Sequence, residues 1–267
     1  MTRAAAHKQQ GAEVEPRQTE LTVRLAAQGA MLNELRALVS LVDPASARDD
    51  VRRLILDENA LQRDNIASRK RVFQKFSTRY VPQAAPLATA AFFRALQTEN
   101  DPAQQALLAY TMTAWNDALV FLLGEEWLAQ KLRIAAFTAQ TDEILEELEW
   151  LAENKAAEIR AWDHIPRVRI AQHYLGLLRD SGFATGSLRK ELRSPYVAPT
   201  VVLFGAQLIM GGGEPAANVP EHVLFKVLGL APADVIDALT DLHAEGRIIF
   251  AVQGNVAHIA LKEAHTN

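Results

Sequence analysis

The sequence contains no cysteine in its 267 residues. This absence excludes disulfide bonds, thiolate nucleophiles and zinc sites built on cysteine, and it fits a reducing cytosol. We therefore expect a cytoplasmic protein. The seven histidines are scattered, with no HExxH motif and no paired metal-ligand spacing, so the sequence predicts no metal site and no other cofactor.

Catalytic motifs are lacking as well. No serine lies in a GxSxG elbow, and the carboxylates gather on what we expect to be a solvated helix face. The glycine triplet at 211–213 has neither the lysine nor the strand-to-helix context of a phosphate-binding loop. We predict that the protein is not an enzyme and takes no small-molecule substrate.

Long apolar runs are also absent. Residues 1–20 are polar, without the apolar core of a secretory signal, and we expect a disordered leader there. The longest uncharged stretch, 194–213, is interrupted by two prolines and three glycines, which leaves an apolar centre of only 201–210. A membrane span needs about 20 apolar residues. We predict a buried core segment here and no contact with a membrane.

The composition, with 49% hydrophobic and 22% charged residues, is that of a globular protein. Apolar residues at helical spacing predict a mainly α fold, a compact multi-helix bundle. We divide the chain into the leader at 1–20, an N-terminal helical bundle at 21–160 and a C-terminal helical subdomain at 161–267. The expected helices cover 21–42, 47–61, 61–80, 102–137 and 141–162, and a cap at 162–166 precedes a helix that runs to residue 180. Gly29 marks close packing or a break in the first of these, and Gly124 ends or bends the helix that starts at Pro102.

The C-terminal subdomain ends in a pattern of two short helices, 221–228 and 232–244, followed by a β-hairpin that turns at 253–255. Helix, turn, helix and hairpin is the order of a winged helix, in which the second helix reads DNA. The charges oppose that role, because residues 221–261 carry five acids against two cations. We expect this winged-helix-like tail to contact protein rather than bases.

One stretch, Leu61–Tyr80, is strongly basic in an otherwise acidic protein of net charge −4. At about 100° per residue, its aromatic residues fall on one side of a helix, whereas Arg71, Lys75 and Arg79 form a ridge that we expect on the opposite side. A solvated surface helix is the alternative interpretation. Its six cations stand against the single acid Asp64: Arg63, Arg69, Lys70, Arg71, Lys75 and Arg79.

A second basic region covers residues 160–195, with seven cations against three acids. Whether it adjoins the first region is left open by the sequence. Its candidate phosphate contacts are Arg167, Arg169, Arg189, Lys190 and Arg193.

Several stretches together resemble a known family. These are LAAQGAMLNELRALV near the start, Asn65–Arg69 leading to Arg79 and Tyr80, Ala106–Tyr110, and Trp162 through Pro166 to Leu177–Phe183. The order of these patterns, from residue 21 to 261, is similar to the BrxA family of the bacterial phage-exclusion systems called BREX. The single glycine at Gly29 and the acid at Asp163 depart from the pattern that we expect for the family.

The resemblance implies a fold like that of the RNA-binding antitermination factor NusB, DNA binding, and a non-enzymatic role in phage defence. The expected partners are DNA, with RNA as an alternative, and other components of the phage-exclusion system. If about five phosphates are neutralised, the slope of log K against log salt concentration should be about −4 to −5. A protein-interaction scaffold that docks through the tail is the competing hypothesis.

Overall fold

The computed structural model describes residues 17, 19–27, 29–134, 138–187, 190–253 and 256–261. Within these ranges the protein is mainly α-helical, as the sequence predicts. The α-helices are α1 Leu32–Leu38, α2 Ala47–Arg52, α3 Ile66–Tyr80, α4 Pro86–Thr98, α5 Pro102–Asn116, α6 Ala118–Leu123, α7 Ala129–Arg133, α8 Thr141–Asn154, α9 His164–Asp180, α10 Pro199–Gly211, α11 Val223–Val227 and α12 Pro232–Ala244.

Shorter helical turns extend these elements. Two π-helical segments, Arg53–Asp57 and Gly124–Leu128, continue α2 and join α6 to α7. The 3-10 turns are Val23–Ala27, Val39–Leu41, Pro44–Ser46, Ala157–Ala161 and Ala216–Glu221.

Helix starts follow the local chemistry of the sequence. The side chain of Asn65 accepts a hydrogen bond from Ser68 N at 2.9 Å and begins α3. Asp101 accepts from Ala103 N at 2.8 Å, and Pro102 occupies the first position of α5. Gly182, at φ +87°, ends α9 in the left-handed conformation that glycine adopts without strain.

Several helix boundaries differ from the predictions. The helix expected at 141–162 ends at Asn154, and the one expected at 47–61 ends at Asp57. The expected helix at 21–42 is interrupted, because residues 29–31 leave the helical conformation and Met31 has φ 54°. The basic helix begins at Ile66 rather than Leu61, where the Asn65 cap fixes its start. The long helix expected from Pro102 breaks at Asp117, whose carboxylate caps α6 through the N–H groups of Leu119 and Val120 at 3.1 and 3.2 Å.

Two small antiparallel sheets accompany the helices. The first has the order β1–β3–β2, with Thr138–Ala139, Lys190–Leu192 and Ala184–Thr185. The second is the C-terminal hairpin of β4, Ile248–Gln253, and β5, Val256–Leu261. The helix–helix–hairpin order predicted for the tail is therefore confirmed.

One cluster of buried apolar residues runs from Leu25 to Ala257 through both halves of the chain. Tyr80, Phe92 and Phe204 form its aromatic centre, with ring centroids 5.4 and 5.7 Å apart. This arrangement packs the basic helix α3 and the helix α10 against α4. The division of the chain at residue 160 and the likeness to NusB stay predictions.

Within the uncharged stretch at 194–213, Pro199–Gly211 forms α10, which is largely buried, in agreement with the predicted core segment. Among the described residues, no single helix combines the length and the apolar character needed to cross a membrane. One pair of helices, Pro102–Asn116 and Ala118–Arg133, has the required length and apolar character only when the two are taken together. The second helix is bent by 109° relative to the first.

Candidate nucleic-acid interface

Helix α3 presents positive charge without a compensating acid, since residues 66–80 contain no aspartate or glutamate. Lys70 and Arg71 are exposed, and neither forms a hydrogen bond or ion pair with another described residue. Lys75, one turn after Arg71, is half-buried. The buried side chains of Phe76 and Tyr80 hold the helix against the core. This arrangement fixes Lys70 and Arg71 on a rigid support, where they can meet an anion.

Arg79 does not belong to this exposed ridge, and its predicted place there is wrong. Its side chain is 3% exposed, and its guanidinium donates a hydrogen bond to the main-chain oxygen of Gly29. Each step of four residues advances a side chain by about 40° around a helix. Over the two steps from Arg71, the ridge rotates toward the face that carries Phe76. An arginine so placed cannot reach a phosphate without leaving its site.

Arg63 and Arg69 are partly buried and have partners within the protein. Arg63 Nη2 lies 2.7 Å from Glu34 Oε1. Arg69 Nη1 donates to the main-chain oxygen of Leu56 at 2.7 Å, which satisfies a carbonyl at the end of the π-helical segment. These two side chains position the start of α3 and are weaker candidates for a phosphate than Lys70 and Arg71.

The cations of the second basic region also divide into an exposed residue without a partner and residues that donate hydrogen bonds within the protein. Arg169 is exposed and has no partner among the described residues. Arg167 is half-buried and donates to the oxygen of Ile159 at 2.9 Å, and Arg193, although exposed, donates through Nε to the oxygen of Gly182 at 2.9 Å. Arg189 lies outside the described residues.

Lys190 is a second correction, because it is 6% exposed rather than a surface contact. It lies on the central strand β3, where Lys190 and Leu192 face inward and Glu191 faces outward. The Lys190 ammonium donates to the main-chain oxygens of Gly186, at 3.1 Å, and Ser187. The alternation of a strand therefore turns this lysine into an anchor for the preceding turn.

The two basic regions are linked through main-chain oxygens near the start of the described chain. Arg79 and Tyr80, at the end of α3, donate to the oxygens of Gly29 and Ala30. On α9, His173 Nδ1 lies 2.9 Å from the oxygen of Leu25. Arg169 precedes His173 by one helical turn and so shares its side of α9. The oxygens of Leu25, Gly29 and Ala30 thus contact both basic helices, whose relation the sequence left open.

Arg24 is a candidate that the sequence interpretation missed. It is exposed and lines a small polar pocket together with Arg79, Asn116 and Asp117. Burial raises the pKa of the Asp117 carboxyl, whereas Arg79, the N–H groups of residues 119 and 120, and Arg24 act to lower it. No local pattern signals this site, because it joins residues far apart in the chain.

Tyr196 is a second missed candidate, at 75% exposure the most exposed of the large apolar side chains described. Its loop is fixed by the buried Gln104, which donates to Tyr196 O at 3.0 Å and accepts from Ala198 N at 2.8 Å. An exposed ring three residues after the exposed Arg193 can stack on a base or on another ring. An aromatic residue between Pro195 and Pro199 was the available sequence signal.

The acids of the tail are exposed to solvent, and their opposition to DNA stays a prediction. Helix α12 exposes Asp234, Asp237, Asp241 and Glu245. Across the described part of the chain, no group of three or more histidine, aspartate or glutamate side chains is arranged to hold a metal ion.

These features define a mainly helical protein with exposed cations on two helices and an acidic, winged-helix-like tail. A model of the BrxA family matches residues 20–206. Because this match covers most of the chain, the protein belongs to the BrxA family, which places it in a bacterial phage-exclusion system. The resemblance stated from the sequence is thereby confirmed. A search of curated proteins finds no match.

Proposed function

We propose that the protein is a non-enzymatic, cytoplasmic component of the phage-defence system that binds DNA through the phosphate backbone. The observation that carries the proposal is that Lys70 and Arg71 are exposed on a helix without acids and have no partner among the residues that the structure describes. Arg169 extends the same charge onto α9. Contacts of lysine and arginine to phosphates hold a duplex without reading its sequence.

The positions of these side chains in the structure reduce the number of candidate phosphate contacts. Lys70, Arg71 and Arg169 remain as the principal contacts, and Arg24 joins them as an exposed cation on the linking segment. Arg79 and Lys190 take structural roles instead. The principal contacts are exposed cations, and phosphate contacts from lysine and arginine carry no sequence information, which favours backbone binding over recognition of particular bases.

A charge-reversal experiment tests the proposal. We expect Lys70→Glu with Arg71→Glu to weaken binding to a fluorescein-labelled 30-base-pair duplex by about tenfold or more at low salt, as measured by fluorescence anisotropy. The matched control is Arg133→Glu with Lys226→Glu, which makes the same charge change at two exposed cations on α7 and α11. The control should stay within about twofold of the wild type.

Equal losses in both double variants would show only a dependence on net charge and would contradict a site on α3. No binding of the duplex by the wild-type protein would contradict DNA binding altogether. Single-stranded RNA serves as the competitor. If it displaces the duplex at equal nucleotide concentration with higher affinity, RNA is the preferred ligand.

A further inference from the structure

The tail contains a cleft of about 650 Å³ that the DNA-binding proposal does not use. It is lined by the 3-10 turn Ala216–Glu221, by the first turns of α12 and by the distal part of the hairpin. Its volume lies within the range of about 300–1,000 Å³ typical of ligand clefts. The whole cleft falls in residues 214–257, beyond the part of the chain that the family model matches.

We call four of the apolar residues that line this cleft its floor. Pro220 and Ile236 contribute from the 3-10 turn and from α12. Val252 and Ala257 contribute from the hairpin, where they are directly paired across the two strands. Val252 is an exposed apolar side chain at this place. An apolar floor of this kind favours aliphatic or aromatic side chains of a ligand.

The rim of the cleft is acidic. Glu214 and Glu221 are both exposed, and neither forms an ion pair with another described residue. Glu214 accepts a single hydrogen bond, from Asn218 at 3.1 Å. No lysine or arginine is among the described residues that line the cleft. On α12, Asp237 and Asp241 add further exposed negative charge.

A phosphate backbone is unsuited to this surface, because like charges at a contact oppose binding. The complementary ligand carries positive charge at the rim and apolar side chains toward the floor. The two-stranded hairpin also leaves main-chain groups at its edges that an extended segment can pair with. A short protein segment with alternating basic and apolar residues satisfies all three conditions.

We propose that the cleft between Ala216–Glu221, α12 and the hairpin docks a basic, partly apolar segment of a protein partner. Glu214 and Glu221 hold its lysine or arginine side chains, and Ile236 and Val252 receive its apolar side chains. This docking site and the cationic site on α3 and α9 lie on different elements. Different residues therefore serve the partner and the DNA.

The test uses the full chain and a fluorescein-labelled ten-residue peptide of alternating leucine and lysine, followed by fluorescence anisotropy. Two control peptides replace either every lysine by glutamate or every leucine by serine. We expect the leucine–lysine peptide to bind at least about tenfold more tightly than either control, because both the rim and the floor contribute.

The variant Glu214→Lys with Glu221→Lys should weaken binding of this peptide by about tenfold or more. Its matched control is Glu149→Lys with Glu153→Lys, which makes the same charge change on the exposed face of α8, away from the cleft. The control should remain within about twofold of the wild type. Far-ultraviolet circular dichroism of both variants verifies that they fold.

Absence of peptide binding, equal binding of the control peptides, or equal effects of the two double variants would each overturn the docking site. A peptide of residues 1–10 of this chain that binds more tightly than the leucine–lysine peptide would show that the chain's own terminus is the occupant. A dimer in light scattering that Glu214→Lys with Glu221→Lys dissociates would identify a second copy instead. Duplex affinity is independent of these outcomes and should not fall in this variant.

Discussion

Arg79 and Gly29 are joined by a hydrogen bond from the buried guanidinium to a main-chain oxygen, fifty residues apart in the chain. The next residue, Tyr80, makes the equivalent bond to Ala30, and Asn116 donates to the oxygen of Arg79 at 2.8 Å. Arg79 therefore ties three parts of the chain together. The sequence indicates that Arg79 contacts phosphate, whereas in the fold its side chain connects α3 to Gly29 by a hydrogen bond.

Replacing Arg79 by alanine should lower the free energy of unfolding by about 2 kcal/mol or more. Hydrogen bonds from charged donors contribute about 1.5–3 kcal/mol, and the substitution leaves a carbonyl unpaired. Arg71→Ala, on the exposed face of the same helix, should change stability by less than about 0.5 kcal/mol. Urea denaturation measures both values. A stable Arg79→Ala protein that has lost duplex affinity would contradict the structural role.

Two glycines in helices should respond to alanine in opposite ways. A Cβ at Gly205, on α10, would lie 2.8 Å from Cε1 of Phe225, so Gly205→Ala should destabilise the protein by about 1–3 kcal/mol. A Cβ at Gly176, on α9, would have no atom within 4 Å. Gly176→Ala should therefore stabilise the protein by about 0.4–1 kcal/mol. Thermal denaturation of the pair separates crowding from backbone entropy, and shifts of the same sign would contradict this explanation.

The sequence predicts most of the fold because its helix signals are local. Caps such as Asn65 and Asp101, and the stop at Gly182, act within four residues of their own positions. The break at Asp117 is harder to predict, because an apolar run continues through it on both sides. Only the capping geometry of the carboxylate shows where the second helix begins.

The candidate site is less predictable than the fold. Lys70, Arg79 and Lys190 are equivalent as charges in the sequence, yet only Lys70 is exposed. The difference arises from carbonyl groups that distant segments bring to Arg79 and that a tight turn brings to Lys190. Periodicity gives the direction of a side chain on its own element. It does not show which neighbour covers that direction.

His222 should make stability depend on pH. Its Nδ1 accepts a hydrogen bond from Leu224 N at 3.1 Å, which requires that nitrogen to be unprotonated. Burial lowers the pKa of His222, Glu214 acts to raise it and Arg17 to lower it. As the pH falls below about 6.5, the unfolded chain takes up a proton that the folded side chain resists. The stabilisation by neutral His222 is therefore present above that pH and lost as the pH falls through the folded pKa.

The comparison variant is His222→Asn, which keeps an acceptor for the Leu224 N–H but does not titrate. From pH 7.5 to 5.5, the free energy of unfolding of the wild type should fall more than that of His222→Asn. Urea denaturation at several pH values provides the measurement. Parallel pH profiles of the two proteins would mean that His222 does not contribute to the dependence.

The salt dependence of DNA binding should be weaker than the full set of basic residues suggests. Ten cations in the sequence besides Arg189 were candidates, but Lys70, Arg71 and Arg169 are the three of them that are exposed and unpaired among the described residues. These three contacts, with Arg24 as a fourth, give a slope of log K against log salt concentration of about −3 to −4, in place of −4 to −5. Lys70→Ala should reduce the magnitude of the slope by about 1, because it removes one contact. Arg79→Ala, measured where it remains folded, should leave the slope unchanged. Anisotropy titrations of the wild type and both variants from about 50 to 200 mM salt measure these slopes. A slope that changes in Arg79→Ala but not in Lys70→Ala would contradict an interface on the exposed face of α3.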